Sequence, residues 1–311
     1  MRHRLFLLLL SAFPAATFVG CSVEEASSTT RIVTEGSSTV GPITNLMAEL
    51  FEENHPGVQI PVNITGTGSG FASFAEGVTD ISNASRRIKD SEKEACEKNG
   101  IEYVELTVAM DGISVIVNKD NDFVDAITTA QLKAIWEPNS KVKTWKDVNP
   151  EWPAEEIKLY GPGRESGTFD YFTKKINGEE GATRSDYTPS GDDNLLVTGV
   201  AGDKYSLGYF GFGYYAQNKE RLKLLSVSPT ESLDDAIAPS LESIQSGEYQ
   251  PLGRPVFIYV KKESLKRSEI AEFVTFYIGD GQKSVSKVGC VPMSEAAQKE
   301  SQQVLADALG E

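Results

Sequence analysis

Three stretches of this sequence set small hydroxyl and glycine residues directly ahead of a helical pattern of apolar residues. They are Gly36-Ser37-Ser38-Thr39-Val40-Gly41-Pro42, Gly66-Thr67-Gly68-Ser69-Gly70 and Glu165-Ser166-Gly167-Thr168. The faces that follow are Ile43/Leu46/Met47/Leu50, Phe71/Phe74/Ala75 and Phe169/Phe172/Ile176. A helix start leaves backbone N–H groups unpaired and carries partial positive charge, and a serine or threonine adds a hydroxyl donor at the same place. Glycine lets a bound group approach the backbone closely. Each stretch taken singly reads as a capped helix. Three of them converging, with Arg86, Arg87 and Arg164 close by in sequence, would build a cage for an oxyanion.

Other chemistries lack their parts. Thr-Gly-Thr-Gly-Ser-Gly (65–70) fits neither the dinucleotide fingerprint nor a phosphate loop with its lysine. Ser166 sits in Arg-Glu-Ser-Gly-Thr, which is not a nucleophile elbow. The histidines are His3 and His55, and Cys21, Cys96 and Cys290 show no paired spacing. Neither a zinc site nor a histidine relay is predicted, and no metal, cofactor or catalytic residue is assigned. Lys+Arg 30 against Asp+Glu 45 gives a net charge of −15, the wrong sign for a nucleic-acid surface. Aromatic residues gather in Gly-Tyr-Phe-Gly-Phe-Gly-Tyr-Tyr (208–215) and at Trp136, Trp145 and Trp152. A sugar or amine cleft is conceivable there, but core packing is the more ordinary role and an organic ligand would leave the polar helix starts unexplained.

The elements that must carry these residues alternate. The 311-residue length predicts two domains. Residues 31–36 and 58–65 read as strands with a helix between them, an α/β unit with a parallel pair. Residues 103–108 and 113–118 read as an extended pair around Asp111-Gly112. Beyond lie strands at 157–161, 206–215, 223–227 and 255–260, and helices at 169–176, 232–246 and 267–278.

The first 20 residues combine two arginines, an apolar run from Leu5 and small residues leading to Gly20-Cys21, and the polar Ser-Val-Glu-Glu follows at once. This predicts a secretory signal rather than a membrane span. Gly20-Cys21 resembles the processing site of bacterial lipoproteins, with Phe18 departing from the usual leucine. Cys21 would then carry the lipid and residues 21–30 would form a tether. Export leaves a Cys96–Cys290 disulfide open as an alternative to two buried thiols.

Five longer motifs resemble the phosphate-specific substrate-binding proteins of bacterial ABC transporters. They are GSSTVGP (36–42), TGTGSGFASFAEGVTDISNASR (65–86), AMDGISVIVN (109–118), LYGPGRESGTFDYF (159–172) and LGYFGFGYY (207–215). The resemblance implies an α/β, two-lobe periplasmic-binding-protein type II fold, with mixed sheets flanked by helices and a ligand cleft between lobes. Lobe 1 would hold residues 31–111 plus 247–311 and lobe 2 residues 112–246. It further implies a monomer in the periplasm or on the outer face of the cell membrane, which closes over inorganic phosphate and delivers it to an inner-membrane ABC permease complex. Residue by residue, Ser38, Thr39, the Val40 N–H and Ser69 match first-lobe donors, and Ser166, Gly167 and Thr168 match the second-lobe run. Asp80 matches the carboxylate that accepts the ligand's proton and so rejects sulfate. Arg86 and Arg164 compete for the charge-assisted contact, while Arg87, Asp111 and Asp170 carry less functional weight. A receptor for another oxyanion, or a secreted phosphatase-like enzyme of related fold, would need the same cage.

Overall fold

The computed structural model describes residues 29–310. The proposed signal and the Cys21 lipidation site lie outside the described residues. Its spine is a single strand, Tyr103–Asn118, rich in β-branched residues over its whole length. The sequence suggested two extended runs meeting at Asp111-Gly112. The structure instead carries the strand straight through, because partners are available on both sides of that point. Tyr103 to Gly112 pair antiparallel with the strand Gly253–Lys261, and Ile113 to Val117 pair antiparallel with Ser206–Gly211. Leu222–Leu224 adds to the far end of the spine.

Each end of the spine thereby enters a mixed half-sheet. In the first, Thr34–Gly36 runs parallel to Val62–Ile64 and to Ile81–Ala84, and Ile81–Ala84 pairs antiparallel with Gly253–Lys261. In the second, Ser206–Gly211 runs parallel to Lys158–Pro162, which runs parallel to Thr188–Ser190. The helices Gly41–Glu52 and Thr67–Ala75 follow the first two parallel strands, and Gly167–Phe172 follows Lys158–Pro162. All three hydroxyl-and-glycine stretches therefore lie at the carboxyl ends of parallel strands, where open α/β sheets present their ligand crevice.

Separate hydrophobic clusters hold the halves, and the two largest lie one in each. One gathers Ile43, Met47, Phe51, Leu106, Ile258, Phe273 and Tyr277, and the other Val115, Trp136, Trp145, Phe172, Leu207 and Tyr209. Tyr209 stacks on Phe172 with centroids 3.7 Å apart, and Trp136 meets Tyr209 edge-on at 4.9 Å. Most of the aromatic cluster is thus core. The strand read over 206–215 stops at Gly211, and Phe212–Gln217 turns into a short helix. The helix read over 232–246 breaks into a 3-10 turn at Leu233–Asp235 and a short α-helix at Leu241–Gln245. Helices at Asp90–Lys98, Asp193–Ala201 and Glu295–Leu309 were not read from the sequence. Asp90–Lys98 shows why: it buries only Cys96 and so has no apolar stripe. Cys96 and Cys290 are free, buried thiols in different clusters, and no disulfide joins them. Among the described residues no helix is long and apolar enough to cross a membrane.

Gly36 ends the first parallel strand at φ +135°, and a Cβ there would fall 2.2 Å from the Asn83 carbonyl oxygen. Gly36→Ala should cost on the order of 2–3 kcal/mol in urea denaturation. Gly57→Ala, where a Cβ meets nothing within 4 Å, should cost under about 1 kcal/mol. Equal losses for the two variants would contradict the close approach of the 36 and 83 backbones.

Candidate oxyanion-binding site

The first wall of the site is the loop Ser37–Val40. Ser37 Oγ accepts the N–H groups of Thr39 (3.2 Å) and Val40 (3.4 Å), so Ser37 pins the loop from behind. The neighbouring hydroxyls are left to face the other half. Thr39 Oγ1 lies 3.1 Å from Thr168 Oγ1, and Ser38 Oγ lies 3.5 Å from Asp193 Oδ2. Tyr214 donates its hydroxyl to the Ser38 carbonyl at 3.0 Å. All of these residues are buried.

The opposing wall begins at Ser166, whose Oγ accepts the Thr168 N–H at 3.1 Å and starts the helix Gly167–Phe172. Gly167 must be glycine for reasons of space. A Cβ there would fall 2.6 Å from Ser85 Oγ and 2.8 Å from Thr67 Oγ1 on the opposite half. Farther along the contact, the Gly68 N–H donates to the Glu165 carbonyl at 3.0 Å. The two hydroxyl-bearing loops thus meet backbone to backbone.

The cation of the site is Arg254, which sequence reasoning missed. The register of the spine sets Arg254 opposite Asp111. Its Nε and Nη2 donate to Asp111 Oδ2 at 3.2 and 3.1 Å, and Nη1 donates to the Gly167 carbonyl at 2.9 Å. Nη2 also reaches Thr168 Oγ1 at 2.6 Å. The guanidinium is 1% exposed and stands over the Tyr171 ring. Asp111 lies inside the AMDGIS motif, but Arg254 stands in Gly-Arg-Pro, 86 residues beyond Thr168, with no local signal besides its place ahead of a buried strand.

The predicted arginines do other work. Arg86 donates Nε to Asp170 Oδ2 at 2.7 Å, and its two Nη groups grip Glu92 at 2.8 and 2.7 Å. Arg164 is exposed, with its guanidinium over Phe169 and a 3.5 Å contact to the Gly181 carbonyl. Asp80 is a correction. Its carboxylate accepts the Val33 N–H (2.9 Å), the Ser264 hydroxyl (2.7 Å) and Arg267 (3.3 Å), tying the first half-sheet to a surface turn away from Thr39 and Thr168. Ser69 is half-buried on the first turn of Thr67–Ala75, and among the described residues no hydrogen bond joins it to Thr39, Thr168 or Arg254. The Val40 N–H, expected as a ligand donor, is turned to Ser37.

The carboxyls beside the hydroxyl pair are Asp111 and Asp193. Burial pushes Asp111 upward, while Arg254 and the N–H groups of Phe212 and Gly112 pull it down. Asp193 is pushed up to about 7, first by burial and then by the charges of Asp111 and Asp192, with Arg254 and Ser38 opposing. The cradle therefore holds one cation paired to one carboxyl, a second carboxyl poised near neutrality, and three buried hydroxyls. Such a set can bind an oxyanion through neutral donors and accept a proton from it. Among the described residues no cluster fit to hold a metal ion occurs. A pocket of about 360 Å³ opens beside Ser38, Asp192 and Tyr214. A larger cavity of about 770 Å³ lies elsewhere, between Phe51, His55, Glu272 and Phe276, and lacks these converging donors.

Because the Asp193 carboxyl titrates higher folded than unfolded, its protonated form is the stable one in the native state. Stability should fall as pH rises from about 4 to about 7. Asp193→Asn removes the penalty. Its stability advantage over the parent, measured by denaturation without ligand, should widen between pH 5 and pH 8 by on the order of 2–3 kcal/mol. A gap that stays constant with pH would show that Asp193 is not held protonated by burial.

Known proteins share this chain's sequence and fold. Residues 23–280 match the PBP superfamily domain. Protein SphX of Synechococcus elongatus is 43% identical over 300 residues, covering 96% of this chain and 87% of SphX. The phosphate-binding protein PstS of Staphylococcus saprophyticus is 40% identical over 277 residues, covering 89% of this chain and 84% of PstS. A solved Planctomyces limnophilus structure, described as a possible phosphate binding protein, superposes with a TM-score of 0.67 at 43% identity, covering 90% of this chain and 99% of its own. An ABC-type phosphate transport receptor from Vibrio cholerae shares the fold, with a TM-score of 0.64 at 22% identity over 84% of this chain and 99% of its own. With a family match over most of its length and relatives at this level of identity, the chain belongs to the PBP superfamily, in the group that contains SphX and PstS.

Proposed function

We propose that this chain binds inorganic phosphate outside the cytoplasmic membrane and hands it to an ABC-type importer, acting as a receptor and not as an enzyme. The observation that carries this is the meeting of Thr39, Thr168 and Arg254 from opposite halves at one buried point. The relatives' names agree with it. A tetrahedral anion entering there would exchange the Thr39–Thr168 contact for two hydroxyl–oxyanion bonds. Arg254 holds the Thr168 oxygen as acceptor, which turns the Thr168 O–H toward the ligand. Charge-assisted bonds of this kind are worth roughly 1.5–3 kcal/mol each.

The proton-accepting role expected of Asp80 passes to Asp193, the buried carboxyl that faces the Ser38 hydroxyl. Hydrogen phosphate can donate to it, whereas sulfate would bring two acceptors together. Titration calorimetry with phosphate and sulfate tests both halves of the reading. Thr168→Ala should weaken phosphate by about 10- to 100-fold. Asp193→Asn should narrow the preference for phosphate over sulfate. No phosphate binding by the parent, or sustained phosphate release from p-nitrophenyl phosphate, would replace the receptor reading.

The expected lobes, 31–111 plus 247–311 and 112–246, need their second boundary moved past Leu252, because Tyr249, Leu252 and Val291 pack into the core of the second half. The N-terminal sequence supports export and a lipid at Cys21. Mass spectrometry of the mature protein should find acyl mass on Cys21, absent in Cys21→Ser, with phosphate affinity unchanged. An unmodified N-terminus would leave a freely secreted receptor.

A further inference from the structure

Beside the cradle, and sharing none of its hydrogen bonds, lies a second cluster that spans the two halves. Asp170 projects from the same short helix that begins at Gly167. Its Oδ2 accepts Arg86 Nε at 2.7 Å and Lys89 Nζ at 2.8 Å, both from the opposite half. Lys89 continues to Glu180 at 2.5 Å. Arg86 and Asp170 are each 8% exposed, so this is not a solvated surface pair. Arg86 is arranged without Asp170's help, whereas the Lys89 ammonium finds both of its partners, Asp170 and Glu180, on the other half. Glu92 grips both Nη groups of Arg86 and also accepts the Lys89 N–H at 2.8 Å. Arg86 further lies over the Phe71 ring and donates to the Arg87 carbonyl.

This asymmetry decides what the cluster does when the halves part. Arg86 keeps Glu92 and stays paired. Asp170 loses both of its cations and has only water to replace them. Closing therefore desolvates the Asp170 carboxylate while delivering one preset cation, Arg86, and the half-exposed Lys89 to it, a more favourable exchange than burying a fresh ion pair with no partner already in place. Because Asp170 sits three residues after Gly167, the same contact seats Ser166, Gly167 and Thr168 against the first half.

We propose that Asp170 is a positioning residue that latches the closed cleft through Arg86 and Lys89 and so sets how long the bound anion stays. The effect on residence time rests on the phosphate reading above, but the latch itself does not. Two measurements separate them. Release of radiolabelled inorganic phosphate into an unlabelled chase should be at least about 10-fold faster in Asp170→Asn, with the association rate within about threefold of the parent. Release from the parent should accelerate between about 50 mM and about 500 mM NaCl, whereas Asp170→Asn should respond weakly. Lys89→Ala, a milder change at a half-exposed side chain, should fall between the two, and Asp170→Glu should recover the salt dependence. Small-angle scattering of the ligand-free chain should show the parent expanding with salt and Asp170→Asn already expanded at low salt. Unchanged release and unchanged scattering in Asp170→Asn would overturn the latch. Salt-dependent closure in a parent that binds no phosphate would uphold the latch and overturn the ligand instead.

Discussion

The Arg254–Asp111 pair is the constraint around which the site is organised. The two residues face each other on neighbouring strands at the point where the spine leaves one half-sheet for the other. Both are almost fully buried, so each needs the other: an unpaired charge at that depth would cost several kcal/mol. The pairing fixes the guanidinium in one orientation, and the remaining N–H groups then point at Gly167 and Thr168 of the opposite half. A single ion pair thus orders the crossing from one half-sheet to the other and aims a cation at the second wall of the cleft.

With that cation largely matched by Asp111, the cradle has little net charge to offer an anion. Its attraction comes from hydroxyl donors fixed by their own loops, Ser37 behind Thr39 and Ser166 at its own helix start. Neutral donors suit a site that must both bind and release, since they supply specificity without the long-range pull of several cations. They also fit a chain with a net charge of −15, in which excess cations are scarce. Asp193 completes the balance, because a carboxyl near its titration point can hold or yield a proton according to what arrives.

The ion pairs divide by what they hold. Arg254 serves the cradle, Arg86 spans the halves, Arg267 meets Asp80 just ahead of the strand Ile81–Ala84, and Arg164 lies open to solvent. Four arginines of one residue type thereby take four roles set by their surroundings. Nothing in the local sequence around Arg86 or Arg164 distinguishes a ligand contact from a structural one, because each stands within two residues of a serine in a glycine- or serine-bearing motif.

What the sequence determined by itself was local. The alternation of strands and helices in an α/β chain and the hydroxyl-bearing helix starts at Ser38-Thr39 and Ser166-Gly167-Thr168 follow from short-range periodicity and capping chemistry, which need only a few neighbouring residues, while the two-lobed arrangement came from the resemblance of its longer motifs to a known family. The aromatic run at 208–215 was also legible as core from its alternation. The tertiary structure decided which charges serve the site. Arg254 and Asp111 are 143 positions apart, and only strand register sets them face to face. Asp80 looked suitable by its motif and was diverted to Val33, Ser264 and Arg267, the last two of them more than 180 residues away. A carboxylate's role depends on which donors and how much water surround it, and those are properties of the packed chain, not of the residues beside it in sequence.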